Sequence, residues 1–299
     1  MTASETTPTR TILAPLDGSD MGEFAAPYVA RVALALDMPV IVMRVVEWSA
    51  WAASDSGYLL APQVYKEVTT AAMEAAREES QNISDELRSA GAQVRAVVVE
   101  HGNPRADLLN LETTEHVALT IMATHGRSGL ARVALGSIAD YMSRHGHSPV
   151  LLIRARGPLV ERPALERALI PLDGSQMSEL AFEPLALVAG PLTRQVTLLR
   201  VIDPDEPAGA SRTAKRYLGE ARERVEKLLG ERGVTCDIAI RWGAPGDEIL
   251  RASQSYDLVI MTTHGKTGAT RWAYGSVADE VIHSANAPLL LTRPGARAQ

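Results

Sequence analysis

The chain writes one set of blocks twice. "TILAPLDGSDMGEFAAPYVARVA" (11–33) returns as "RALIPLDGSQMSELAFEPLALVA" (167–189), and "VIVMRVVE" (40–47) as "VTLLRVID" (196–203). "EHGNPRADLL" (100–109) returns as "RWGAPGDEIL" (241–250), and "HSPVLLIR" (147–154) as "NAPLLLTR" (286–293). The order of blocks is the same in both halves. A period of about 150 residues is far longer than the roughly 20–50 of solenoids and propellers, so it marks a duplicated domain. A length of 299 residues also suits two domains. The expected domains are 8–155 and 165–294. The linker, 156–164, lies in the Pro-, Gly- and Arg-containing stretch "ARGPLVERPALER" (155–167).

Within each half, short apolar runs alternate with Ala/Glu/Arg-rich stretches. "TILAPL", "VIVMRVV", "QVRAVVV", "VALTIMA" and "PVLLI" are the runs of the first half. Near-continuous apolar strands fit a sheet buried on both faces, hence a parallel α/β sheet of five strands and four helices per half. Ligands of such sheets sit beyond the carboxyl ends of the strands, where strand order reverses.

Composition excludes several classes. A formal net charge of −6 and 4% aromatic content give no general attraction to nucleic acid or anionic lipid and no base-stacking platform. No apolar run approaches the ~20 residues of a membrane span. The polar start "MTASETTPTR" lacks the apolar core of a signal peptide, and the lone Cys236 cannot form an internal disulfide. The expected location is the cytoplasm.

Two repeated stretches carry the candidate chemistry. "PLDGS" at 15–19 and 171–175 follows the first strand of each half. Asp17 and Asp173 there either accept hydrogen bonds from a nucleoside's amine or hydroxyl groups, or close an Asx-turn and cap the next helix. The other stretch is "THGRSGLARVALGS" (124–137), answered by "THGKTGATRWAYGS" (263–276) after the fourth strand. Its glycines permit close backbone approach. "SIAD" and "SVAD" read as capping boxes, which makes Ser137 and Ser276 N-caps. A helix start also offers free N–H groups and partial positive charge to a phosphate, and Arg127 and Lys266 add a cation. His125 and His264 either donate to that phosphate or brace the turn. No Walker loop occurs, and no G-x-G-x-x-G follows either first strand.

A strand ending in P-x-D-G-S, an R-V pair after strand two, then x-T-H-G, nine residues and G-S resemble the universal stress protein family. The likeness covers nearly the whole chain twice, as in a tandem two-domain member. It implies the adenine-nucleotide α-hydrolase-like fold with strand order 3-2-1-4-5, helices on both faces, pairing of the two halves through the fifth strand, and a further dimer as an option. It also implies ATP, ADP or AMP as ligand, with or without Mg, held by the family pattern G-x2-G-x9-G-[ST]. By that pattern Gly126, Gly136 and Ser137 hold phosphate in one half, and Gly265, Gly275 and Ser276 in the other. Asp17 and Asp173 meet the adenosine, Val45 and Val201 flank the adenine, and Pro15, Leu16, Pro171 and Leu172 supply backbone. The first glycine of the pattern is replaced by Ala123 and Thr262. If the backbone there needs φ > 0, the β-branched Thr262 is the worse substitute, which favours the first half as the better site.

Other polar residues read as structural. Arg44 and Arg200, at strand ends, are expected to reach solvent or a carboxylate. His145 and His147 suit a helix terminus better than a metal site. The first half carries 17 extra residues, mostly in "WSAWAASDSGYLLAPQVY" (48–65), whose aromatics suggest a lid over the first site. The expected function is a stress-response module that binds adenine nucleotide. The alternatives are a nucleotide-free scaffold and a slow ATPase, the latter disfavoured because no positioned base is visible.

Overall fold

The computed structural model describes residues 10–17, 22–47, 62–124, 135–154, 160, 163–264 and 274–295. The first half runs β1 (Thr11–Leu16), α1 (Gly22–Leu36), β2 (Val40–Glu47), α2 (Pro62–Ser89), β3 (Val94–Gly102), α3 (Pro104–Thr114), β4 (Val117–Thr124), α4 (Ser137–His145) and β5 (Val150–Arg154). The second runs β6 (Arg167–Pro171), α5 (Gln176–Glu179), α6 (Phe182–Val188), β7 (Gln195–Ile202), α7 (Ala210–Leu229), β8 (Thr235–Trp242), α8 (Pro245–Ser253), β9 (Leu258–Thr262), α9 (Ser276–Ser284) and β10 (Leu289–Thr292). The first helix of the second half is split into α5 and α6. Pro184 has no N–H, and its ring crowds the carbonyl four residues back, at Leu180, where the helix breaks.

Each half has the expected strand order, β3-β2-β1-β4-β5 and β8-β7-β6-β9-β10, with parallel neighbours throughout. The two five-stranded units join into one ten-stranded sheet, because β5 and β10 pair antiparallel, with Leu151 opposite Leu290 and Leu152 opposite Leu289. Neither strand is left as an exposed apolar edge, and all four leucines are buried.

Alternation along the strands splits the core into two layers. Ile12, Val40 and Val42 face one layer with Ile170 and Ile260, while Leu13, Ile41 and Met43 face the other with Leu169 and Val259. Helices α1, α2, α6 and α7 cover the first layer, and α3, α4, α8 and α9 cover the second. On α7 the covering stripe is Ala214, Leu218, Ala221, Val225 and Leu229, spaced at three to four residues as one helix face requires. The last helices of the two halves, α4 and α9, therefore lie on the same face of the sheet. The loop at 48–61 falls outside the described residues, and 62–65 open α2, so the expected lid is not described.

Candidate functional site

In the second half, β6 stands between β7 and β9, so the sheet's direction of progression reverses between β6 and β9. A cleft of about 220 Å³ opens there, at the carboxyl ends of the strands. Pro171, Leu172 and Asp173 enter it from the end of β6, and Val201 from β7. Thr262 and His264 come from the end of β9, and Gly275 and Ser276 from the start of α9. Four segments that are distant in sequence thus converge as expected. Gly265 and Lys266 lie outside the described residues.

The local structure follows from short-range chemistry. Leu172 donates its N–H to Leu199 O at 2.8 Å, which carries the backbone past the end of β6. Asp173 then accepts from Ser175 N–H at 2.9 Å and from the Ser175 hydroxyl at 2.6 Å, the Asx-turn alternative. Ser175 is the N-cap of α5 and accepts from Ser178 N–H. The Asx-turn uses one carboxylate oxygen and holds Asp173 at the cleft.

Two expectations at the loop need correction. Ser137 and Ser276 are not N-caps: Gly136 and Gly275 hold those positions, without a side-chain cap bond, and each serine is the first helical residue. The first intrahelical bonds run from Asp140 N–H to Gly136 O and from Asp279 N–H to Gly275 O, both at 2.8 Å. The N–H groups of residues 276–278 precede that first bond and have no acceptor within the helix. The second correction concerns the replaced glycine. Ala123 and Thr262 sit in strand pairing, opposite Ile153 and Thr292, and neither has positive φ. A Cβ at these positions carries no backbone strain, so that ground for ranking the first half above the second is removed; the longer loop, the other ground, lies at 48–65, of which 48–61 fall outside the described residues. The Thr262 hydroxyl donates to His264 O at 2.5 Å.

His264 is buried, with Nδ1 2.9 Å from the Thr263 hydroxyl. Its Nε2 is buried and has no hydrogen-bond partner among the described residues. Gly275 N–H donates to Thr263 O at 3.1 Å, which ties the helix start to the end of β9. Arg200 lines the cleft as well, and its guanidinium is 2.6 Å from Glu206. Arg44, its counterpart, pairs with Glu79 at 3.2 Å. Both arginines reach carboxylates as expected, yet Arg200 also belongs to the cleft wall. Pro245 and Ile249 of α8 complete the apolar side and were missed. The signal for them was the repeated "GNPRADLL" and "GAPGDEIL" block, which served only as evidence of the duplication.

In the first half, Pro15 and Leu16 end β1, Asp17 follows exposed, Val45 is buried in β2, and Ala123 lies near the end of β4. Gly136 and Ser137 open α4. His125, Gly126 and Arg127 fall outside the described residues. At the end of α4, Gly146 is the C-cap and His147 N–H donates to Glu112 at 2.6 Å, the structural role expected of that segment.

Comparison with known proteins gives a concordant picture. The sequence profile of the universal stress protein family matches residues 8–154 and again 165–293. A universal stress protein of Mycobacterium tuberculosis is 26% identical over 314 aligned positions, covering 94% of both chains. Another from that organism is 28% identical over 196 residues, which covers 61% of this chain and 64% of that protein, so the match spans under two thirds of its length. The crystal structure of a universal stress protein from Archaeoglobus fulgidus superposes with a TM-score of 0.72 over 95% of this chain and 98% of that one, at 18% identity, which speaks for the fold. With two matches in tandem that together span most of the chain, and the strand order found twice, this chain belongs to the universal stress protein family.

Proposed function

We propose that this chain is a regulatory module that binds an adenine nucleotide (ATP, ADP or AMP) in the second-half cleft. The observation that carries the reading is the orphaned Nε2 of His264. A buried polar atom without a partner is costly, and cleft walls are where a ligand removes that cost. In the tautomer in which the Thr263 hydroxyl donates to Nδ1, the ring proton sits on Nε2, and a ligand is offered an N–H. The uncapped start of α9 lines the same cleft and adds N–H groups and partial positive charge. The combination suits a phosphate, and the apolar wall of Leu199, Val201, Ile249 and Met261 suits a base.

Among the described residues no group of three or more His, Cys, Asp or Glu side chains is gathered to hold a metal. Magnesium accompanying the nucleotide would take its ligands from phosphate oxygens and water. The first half, with Asp17, Val45, Gly136 and Ser137, is the second candidate site. Domain limits of 8–155 and 165–294, mutual pairing of the halves and a cytoplasmic location complete the proposal. Among the described residues no helix is long and apolar enough to cross a membrane.

Titration calorimetry of ligand-free protein with ATP, ADP and AMP tests the reading. At least one should bind saturably, and His264→Ala should weaken it about tenfold or more, the scale of a hydrogen bond to a charged group. No heat and no competition at millimolar concentration for all three would overturn the proposal.

A further inference from the structure

Tyr274 directly precedes the Gly275-Ser276 start of α9, and its side chain reaches α4 of the first half. The Arg144 guanidinium of α4, in the first half, lies over that ring, with Cζ 3.8 Å from the centroid. The Tyr274 hydroxyl reaches Asp140 O at 3.4 Å, and Arg144 pairs with the Asp140 carboxylate at 2.9 Å. Burial pushes the Tyr274 phenol well above its usual range, in keeping with an enclosed ring. The corresponding residue of the first half is Leu135, which offers α9 neither a ring face nor a hydroxyl.

We infer that Arg144 and Tyr274 are positioning residues for the second-half cleft, so that the first half sets the affinity of the site in the second. The inference rests on the nucleotide reading of that cleft. Its physical basis is short. The phosphate-binding elements proposed are the N–H groups at the start of α9, and their placement depends on the residue that leads into the helix. Gly275, the N-cap, has no side chain with which to anchor that lead-in. On one side Gly275 N–H is tied to Thr263 O, and on the other Tyr274 is clamped under Arg144. Arg144 is held in turn by Asp140, in the first turn of α4, so the clamp is built on a helix of the other half. A cation over an aromatic face, partly removed from water, is strong enough to hold Tyr274, and with it the lead-in to α9, in place.

The test measures nucleotide affinity in the full chain. Arg144→Ala and Tyr274→Leu should each weaken ATP binding by about three- to tenfold, and the double variant should be no weaker than either alone, because both remove one interaction. Arg144→Lys, which keeps a cation over the ring, should restore most of the affinity. A merely structural role would lower the melting temperature and leave Kd unchanged. If the wild type binds ATP, Gly275→Val abolishes that binding, and Arg144→Ala and Tyr274→Leu stay within twofold of wild type, the inference falls while the nucleotide reading stands. If binding survives Gly275→Val, or the wild type binds no nucleotide, the reading of the second-half cleft falls and the inference with it.

Discussion

Glu112 sits near the end of α3 with its side chain fully enclosed. One oxygen accepts from the Thr120 hydroxyl at 2.9 Å and the Ser148 hydroxyl at 2.6 Å, and the other from His147 N–H at 2.6 Å. It joins α3, β4 and the turn before β5 at one point. In the second half the matching residues are Ser253, Val259 and Ala287, so the cluster belongs to the first half alone. A buried carboxylate surrounded by its own donors is costly to remove: His147 N–H loses its acceptor, and the Thr120 and Ser148 hydroxyls, 3.0 Å apart, are left with only each other. Glu112→Ala should lower unfolding free energy by about 3–5 kcal/mol in urea denaturation, and Glu112→Gln, which keeps two acceptor directions, by less. A loss below about 1 kcal/mol for the alanine variant would show that the three donors find other acceptors. His264 is the opposite case: a buried ring that finds a partner on one side only among the described residues, at a cleft.

Edges and ends decide the behaviour of elements. β8 is the outermost strand of the second half and carries Cys236, half-buried, near its start. Burial, with a smaller contribution from the Glu226 carboxylate, pushes the thiol up to about 11. An ordinary thiol ionises near 8.5, so its alkylation rate levels off above about pH 9. Alkylation of Cys236 by iodoacetamide should instead keep climbing about tenfold per pH unit through pH 10, and a plateau by pH 9 would contradict the shift. The folded state disfavours the thiolate. The stability tied to this group is therefore intact below the unfolded thiol's range near 8.5 and declines as pH rises from there toward the folded value. Helix ends show the complementary rule. α3 is closed by Asn103, whose side chain accepts from the N–H groups of Arg105 and Ala106, whereas α4 and α9 begin at bare glycines. The candidate phosphate sites lie at two of the helix starts that have no side-chain cap, those led in by the repeated Gly-Ser.

The whole molecule is held at a seam with approximate two-fold character. Arg154, the last residue of β5, donates to Ile282 O of α9, and its repeat counterpart Arg293 donates to Gly146 O at 2.6 Å and His145 O at 3.2 Å at the end of α4. Each half thus sends an arginine to the last helix of the other, where the carbonyls of the helix end favour a cation. The sheet is continuous across β5 and β10, and both core layers contain residues of both halves. The halves should accordingly unfold together, in one calorimetric transition in the absence of ligand. Arg154→Ala and Arg293→Ala should each lower stability by about 1–3 kcal/mol, the scale of hydrogen bonds from a charged donor. Two resolved transitions in the unmodified protein would show that the seam is weaker than the packing within each half.

Much of this was legible in the residues alone. The duplication and the parallel α/β class follow from local codes: apolar runs, turn residues and repeated spacing. The strand order, and with it the meeting of Asp173, Thr262, Gly275 and Ser276 at strand ends, came through the family likeness. Those codes act over a few residues, and they survive duplication because each copy must bury the same sheet faces. What only the tertiary structure decided lies between residues far apart in sequence. The strand dihedrals of Ala123 and Thr262 come from pairing with β5 and β10, which overrode the expectation of a glycine-like turn. Glycine rather than serine caps α4 and α9. The orphaned Nε2 of His264, the clamp of Arg144 on Tyr274 and the exchanged arginines depend on how β5 and β10 bring two copies face to face, and a hydrophobic pattern carries no record of that geometry.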